Sequence, residues 1–108
     1  MASVLEEILL EEYDRSACMV QVLDGELSSL PRGSIREKVI KGRPYCYLQY
    51  RDGDHIRSVY VPRTDVEGLR AQLESRARCI KERKEQVRAM RQIERALGRR
   101  LADERSGA

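Results

Sequence analysis

Basic and aromatic side chains cluster in the middle of this 108-residue chain, between residues 32 and 60. Guanidinium and ammonium groups bind phosphates, arginine also makes paired hydrogen bonds to guanine, and tyrosine rings stack on bases. The structural alternative is that half of the tyrosines pack against a helix while the charges only solvate the sheet. The chemistry favours nucleic acid, and the predicted contacts are Arg36, Lys38, Lys41, Arg43, Tyr45, Tyr47, Arg51 and Arg57.

Groups suited to catalysis or metal binding are scarce in the sequence. His55 is the single histidine, and it follows an Asp-Gly turn signal, where an exposed hairpin residue is common. Cys18, Cys46 and Cys79 lack the CxxC spacing of a zinc site, and no glycine-rich phosphate loop is present. We therefore expect no catalytic residue, no metal and no cofactor, and we predict a binding protein that is not an enzyme.

The net charge of +3 hides an asymmetry along the chain. Residues 1–30 carry seven acids and one arginine, whereas residues 63–108 carry thirteen bases and eight acids. An acidic first helix lying along a basic last helix would neutralise it in part. This leaves positive charge on the middle segment and the far C-terminal arm, and it favours a nucleic acid or an acidic protein surface as partner. The acidic start is unlike a signal peptide, and no apolar run approaches the ~20 residues of a membrane span, so we expect a cytoplasmic protein without membrane contact.

Two heptad patterns flank the basic segment and predict helices over residues 3–30 and 65–104. In the first pattern, the heptad positions from Leu9 to Leu30 are apolar except at Ser16, and Pro31 ends the helix. The second keeps its register for nearly forty residues, so its far end should overhang or meet another chain. The residues predicted to form this partner-helix interface are Val87, Met90, Leu97 and Leu101.

Alternating polarity over residues 33–62 predicts a three-stranded antiparallel meander, with tight turns at Gly42-Arg43 and Asp52-Gly53. The predicted fold class is α+β: an antiparallel, coiled-coil-like helical hairpin with the β meander between its two helices. Residues 1–108 would form a single domain. A sheet of this size needs a helix packed on one face to be stable.

The segment from Leu30-Pro31-Arg32-Gly33-Ser34 to Val59-Tyr60-Val61 resembles a family of small, uncharacterised prokaryotic proteins common on phages and plasmids. The resemblance covers residues 27 to 85 and implies this fold and a mobile-element setting. The meander is also distantly similar to the arm-type DNA-binding domain of phage tyrosine recombinases, although no recombinase catalytic core follows. That similarity implies DNA contacts at Arg36, Lys38, Tyr45, Tyr47, Arg51 and Arg57.

Three functions therefore stay open. The leading hypothesis is an accessory protein of a phage or mobile element that binds nucleic acid, with duplex DNA favoured, through the sheet. The second is a protein–protein interaction module, such as a phage-encoded inhibitor of a host defence nuclease. The third is a structural homodimer. Bases gathered on one face of the sheet beside exposed tyrosines would favour the first hypothesis, and an uncovered apolar stripe on the last helix would favour a partner helix.

Overall fold

A computed structural model describes residues 3–101 as two helices with a three-stranded antiparallel sheet between them, which confirms the α+β class. The strands are ordered β1-β2-β3, so β2 is central. The elements are α1 (Val4–Ser29), β1 (Ser34–Ile40), β2 (Arg43–Asp52), β3 (His55–Val61), a 3-10 turn (Arg63–Asp65) and α2 (Val66–Leu97).

Helix α1 begins with a side-chain cap. The Ser3 hydroxyl accepts a hydrogen bond from the backbone N–H of Glu6 at 3.1 Å, which satisfies one of the free donors of the first turn. The helix continues through Asp24 and Gly25 and ends at Ser29, one residue before the predicted end. The residue before a proline avoids the helical region, so Leu30 cannot extend the helix into Pro31.

Helix α2 ends at Leu97, so the predicted helix to residue 104 is too long. Gly98 adopts a left-handed φ of 71°. The N–H of Gly98 donates to the carbonyl of Arg95, and the N–H of Arg99 donates to the carbonyl of Glu94. These two hydrogen bonds form a Schellman motif. Residues 102–104 of the prediction lie outside the described residues. Leu101 is only 1% exposed, and its N–H donates to Glu94 Oε2 at 2.7 Å.

The first hairpin turn consists of Lys41 and Gly42, because Ile40 pairs with Arg43. The predicted turn at Gly42-Arg43 is therefore one residue late. Lys41 and Gly42 have φ values of 52° and 78°, and a type I′ turn requires a positive φ at both central residues. Pro44 lies in β2 before the pairing with β3 begins at Cys46, so its missing N–H faces an open edge.

The second hairpin turn consists of Gly53 and Asp54, because Asp52 pairs with His55. The predicted turn at Asp52-Gly53 is one residue early. Of the two turn residues only Gly53 has a positive φ, 62°, as a type II′ turn requires. Glycine therefore occupies the first central position of this turn.

The chain divides into two compact units. The first consists of the described parts of Met1–Gly25 and Ile80–Ala108. Tyr13 and Leu101 are its largest fully buried side chains, and Arg83 Nε lies 2.6 Å from Asp24 Oδ1 in an ion pair between α1 and α2.

The second unit, Glu26–Cys79, contains the whole sheet. Here the Cys79 thiol donates to Glu26 Oε2 at 3.2 Å, and Arg76 Nη1 donates to the carbonyl of Leu27 at 3.2 Å. From Glu26 to Leu27 on α1, the contacting residue on α2 changes from Cys79 to Arg76, so the residue numbers of the two helices run in opposite directions. Over residues 3–101, no helix combines the length and apolar character that crossing a membrane requires.

Candidate functional site

The strand register sorts the basic side chains of the sheet. Residues directly opposite each other on paired strands share a face, and neighbours along a strand point to opposite faces. One face, called the cationic face below, carries four basic residues, three tyrosines and no acid, with serine, isoleucine and glutamine in its other positions. Its charged and aromatic members are Arg36, Lys38, Arg43, Arg51, Tyr45, Tyr47 and Tyr60.

The opposite face, called the apolar face, holds both of the acids that lie in the strands. Glu37 is opposite Cys46, and Asp52 is opposite His55. Arg57 Nε lies 3.4 Å from Asp52 Oδ2 in an ion pair on this face. The remaining positions are mostly apolar and include Ile35, Val39, Leu48, Val59 and Val61. The sheet thus separates its charges, since the acids and their one arginine lie away from the cationic face.

Six of the eight predicted nucleic-acid contacts share the cationic face, and two do not. Lys41 lies in the β1–β2 turn, and Arg57 lies on the apolar face. Tyr60 was missing from the predicted set, yet the register places it opposite Tyr47. The signal for Tyr60 is the alternation of side chains along β3, counted forward from the Asp-Gly turn.

The three tyrosines of the cationic face form a cluster of rings. The Tyr60 ring centroid lies 6.3 Å from that of Tyr45 and 5.9 Å from that of Tyr47, with interplanar angles of 58° and 67°. These are edge-to-face separations that stabilise aromatic pairs. Lys38 Nζ lies 5.0 Å from the Tyr47 ring centroid, within cation–π range. Tyr60 remains 52% exposed, while Tyr45 and Tyr47 are half-buried, so the cluster is accessible from one side.

All four basic residues of the cationic face are exposed. Within residues 3–101, none of the four has an ion pair with a carboxylate. Like charges without counter-ions on one surface raise the local positive potential and attract polyanions. The positive potential of this face can therefore attract an anionic ligand from solution.

A cavity of about 680 Å³ lies beside the start of β2, where β3 has already ended. Volumes of a few hundred Å³ suit small ligands or a protruding group of a larger one. Its polar lining combines arginines, carboxylates and phenol rings: Arg43, Arg63, Glu37, Glu67, Tyr45 and Tyr60. The cavity is lined by residues from both faces of the sheet and reaches from the open edge of β2 to the beginning of α2.

Helix α2 carries a second set of bases, in the other unit. Lys84, Arg88, Arg91 and Arg95, called the cationic stripe below, recur at spacings of four, three and four and so lie on one side of the helix. They line a groove of about 470 Å³ together with Arg83 and Val87. In the described part of the chain no carboxylate pairs with any of the four.

The four residues predicted to form a partner-helix interface have different environments. Val87 lies in the groove of the cationic stripe and is half-buried. Met90 and Leu97 are also half-buried, whereas Leu101 is covered by its own chain. Only the first three therefore keep surface that a partner could contact.

The cysteines are free thiols: Cys18 is exposed, Cys46 is half-buried and Cys79 is buried. The hydrogen bond to the Glu26 carboxylate raises the pKa of Cys79 because it favours the protonated thiol, and burial acts in the same direction. A thiol held protonated is a poor nucleophile. Over residues 3–101, no group of three or more His, Cys, Asp and Glu side chains is arranged to hold a metal ion.

Comparison with known proteins gives a family but no characterised relative. No curated protein matches the chain, and no solved structure matches it. One family model, described as a domain of unknown function, matches residues 5–71, which is more than half of the chain and includes the entire sheet. The prediction of an uncharacterised family is thereby confirmed, and the chain belongs to the DUF6788 family.

Proposed function

We propose that this protein is a non-enzymatic accessory protein that binds nucleic acid, duplex DNA foremost, through the cationic face of its sheet. One observation carries the proposal: the strand register gathers Arg36, Lys38, Arg43 and Arg51 on a face without an acid. A sheet that needed charge only for solubility would have no reason to place both of its acids on the opposite face.

The dimensions of the sheet suit a DNA groove. Strands about 4.8 Å apart place the outer strands of a three-stranded sheet about 10 Å from each other, and the major groove of B-DNA is about 12 Å wide. Arg36 and Lys38 are two residues apart on β1, so their side chains leave the backbone about 7 Å apart and can reach different phosphates. The exposed edge of the tyrosine cluster would contact sugars or unstacked bases.

The test compares charge removal on the two faces of the same sheet. The triple variant Arg36→Gln/Lys38→Gln/Arg51→Gln removes three bases from the cationic face. Arg57→Gln is the control, because its side chain is 57% exposed but lies on the apolar face. Fluorescence anisotropy with a labelled duplex measures the affinity, and circular dichroism confirms that each variant is folded.

Counterion release sets the expected result. If all four bases contact phosphates, the wild-type affinity falls by about 150-fold between about 50 and 200 mM salt, from a log–log slope of roughly −3.6. The triple variant should lose most of this dependence and bind weakly at low salt, whereas Arg57→Gln should resemble the wild type. Equal losses in the two variants would contradict the proposed face, and an absence of binding to duplex and single strands at low salt would contradict the function.

A protein–protein interaction module is the second candidate, and the apolar face favours it. Val39 and Val59 on that face are 68% and 50% exposed, which leaves apolar surface open in the sheet. A phage-encoded inhibitor of a host defence nuclease is one form of this candidate, and a structural homodimer is another. A pull-down from the host that captures the same single nuclease with and without nucleic-acid digestion, together with no affinity for purified DNA, would support it over the first.

The finer features of the fold and setting belong to the same proposal. We propose an antiparallel, coiled-coil-like hairpin of α1 and α2, supported by the contacts of Cys79 with Glu26 and of Arg76 with Leu27. We also propose a phage or other mobile element as the source and the cytoplasm as the location. Three free cysteines fit a reducing compartment.

A further inference from the structure

Helix α1 has a second apolar stripe that its own chain leaves uncovered. Tyr13, Ser16 and Leu23 are buried and mark the covered side of the helix. At 3.6 residues per turn, a second group of apolar residues points roughly 100° away from that side. These residues are between 40 and 73% exposed and consist of Val4, Ile8, Met19 and Val22.

Acids flank this uncovered stripe. Glu11 and Glu12 lie on its two sides, midway along its length, and Arg15 is the only base in the first thirty residues. Glu12 Oε1 pairs with Arg15 Nη2 at 3.0 Å, which leaves Glu11 as an exposed acid beside the stripe. Arg15 lies on the stripe itself, between Ile8 and Met19, so this surface of α1 has two apolar stretches around one ion-paired arginine, and Glu11 gives it a net negative charge.

The cationic stripe of α2 has the complementary character and belongs to the same unit. Its groove has an apolar floor at Val87 and basic walls, and Ile80 beside it is 36% exposed. Two of the three acids in this half of α2 have hydrogen-bond partners away from the groove, because Glu82 accepts a hydrogen bond from Gln86 and Glu94 accepts one from the backbone of Leu101. The third, Glu85, does not line the groove. The groove therefore matches a helix with apolar residues between acids.

We propose that a second copy of this chain docks here, with α1 of each copy lying on the cationic stripe of the other. Such a two-fold arrangement joins four helices into a bundle in which each helix contacts two neighbours. The dimer buries both uncovered surfaces at once and neutralises the stripe.

Charge complementarity and apolar character together select a second copy over a nucleic acid at this surface. Phosphates would satisfy Arg88 and Arg91 but would leave Val4, Ile8 and Val22 in water. Exposed apolar patches on soluble proteins commonly mark interaction sites. This inference does not depend on the function proposed for the sheet, since the residues involved lie in the other unit.

Reversing charge on one helix at a time tests the dimer. The first variant, Glu11→Lys/Glu12→Lys, makes the stripe of α1 basic, and the second, Arg88→Glu/Arg91→Glu/Arg95→Glu, leaves three acids and one lysine on the cationic stripe and so makes it acidic. Sedimentation equilibrium measures the mass against the chain mass of 12.5 kDa. The wild type should be a dimer, and each variant alone should associate at least about 100-fold more weakly because like charges then face each other.

Mixing the two variants should restore a dimer, because both helix contacts in the mixed pair then join opposite charges. Arg78→Glu is the matched control: it reverses a charge on another side of α2, where the guanidinium bonds to Ser75, and should leave the dimer intact. A monomeric wild type would overturn the inference. Charge-reversal variants that fold and remain dimeric would also overturn it. The same holds if the wild type is monomeric and the variant with the reversed cationic stripe loses affinity for duplex DNA.

Discussion

Replacing Gly33 with alanine should destabilise the sheet more than any other glycine replacement in the described part of the chain. Gly33 immediately precedes β1 and has a φ of 124°, a conformation that residues with a Cβ rarely adopt. A Cβ at this position would overlap the backbone carbonyl oxygen of Gln49 and would lie 3.0 Å from Tyr50 Cβ and 3.1 Å from Leu48 Cδ1. Since the main obstacle is backbone of the central strand, no side-chain rotation can relieve it.

Two other glycines separate the contributions to this cost. Gly42 has a φ of 78° with nothing within 4 Å of an added Cβ, so Gly42→Ala should cost only the left-handed strain, about 1–2 kcal/mol. Gly25 lies in the interior of α1 with equally open space, so Gly25→Ala should stabilise by about 1 kcal/mol. Gly33→Ala adds a steric overlap of about 1–3 kcal/mol to the strain, so the total should be roughly 3 kcal/mol.

Thermal and denaturant unfolding followed by circular dichroism measure these three variants against the wild type. A loss of roughly 3 kcal/mol lowers the midpoint of a domain of this size by about 12 to 24 °C. The expected order of stability is Gly25→Ala, wild type, Gly42→Ala and Gly33→Ala. If Gly33→Ala unfolds no more readily than Gly42→Ala, then residue 33 does not approach the backbone of β2 closely, and the steric explanation is wrong.

Three further predictions concern the tyrosine cluster, the thiols and the end of α2. Tyr60→Ala should weaken single-strand DNA binding by about 1–3 kcal/mol in anisotropy titrations, while Tyr60→Phe retains the ring and the affinity. A disulfide reagent should modify Cys18 rapidly and Cys79 only on unfolding, as mass spectrometry would show. The stabilisation from protonated Cys79 is complete below the unfolded thiol pKa of 9.0 and declines as pH rises through its higher folded pKa, so Cys79→Ala should be less destabilising at alkaline than at neutral pH. Gly98→Ala should cost about 1 kcal/mol in denaturant unfolding, because alanine is strained in the left-handed cap.

The faces of the sheet were predictable from the sequence, although its pairings were not. A two-residue turn misplaced by one residue moves both of its ends together, so the pairing slips by two and every side chain keeps its face. The predicted turns would have placed Tyr47 opposite Lys38 and Ser58, whereas the structure pairs it with Arg36 and Tyr60. Alternation therefore identifies the cationic face, and turn conformation decides which side chains touch.

Arg57 shows the limit of reading residue type without register. Under either turn position it falls opposite an even-numbered residue of β2, on the apolar face, so the sequence already contained the reason to omit it. A count of nearby bases includes Arg57, whereas the strand period excludes it from the shared surface. Its ion pair with Asp52 explains its presence without a ligand.

The positions of the helices along the chain were predictable, but the side of α2 that is buried and the residue at which it ends were less so. The heptad pattern on α2 includes Ile80, yet that residue is 36% exposed and its neighbour Cys79 is buried. A strict seven-residue repeat drifts around a straight helix, so a pattern sustained for forty residues does not keep one side facing inward. Gly98 was a recognisable stop signal that the continuing pattern at Leu101 obscured.

Stability and binding are coupled on the cationic face through its tyrosines but not through its arginines. Tyr47 contacts Tyr60 edge-to-face and lies under Lys38, and aromatic pairs of this kind contribute about 0.5–1.5 kcal/mol each. A change at Tyr47 therefore alters the sheet that presents the charges as well as the surface that we propose to bind nucleic acid. Arg36 and Arg51 are exposed and without ion pairs in the part of the chain that the structure describes, so neutralising them changes the field with little cost to folding. The cations, rather than the rings, are where binding can be separated from stability.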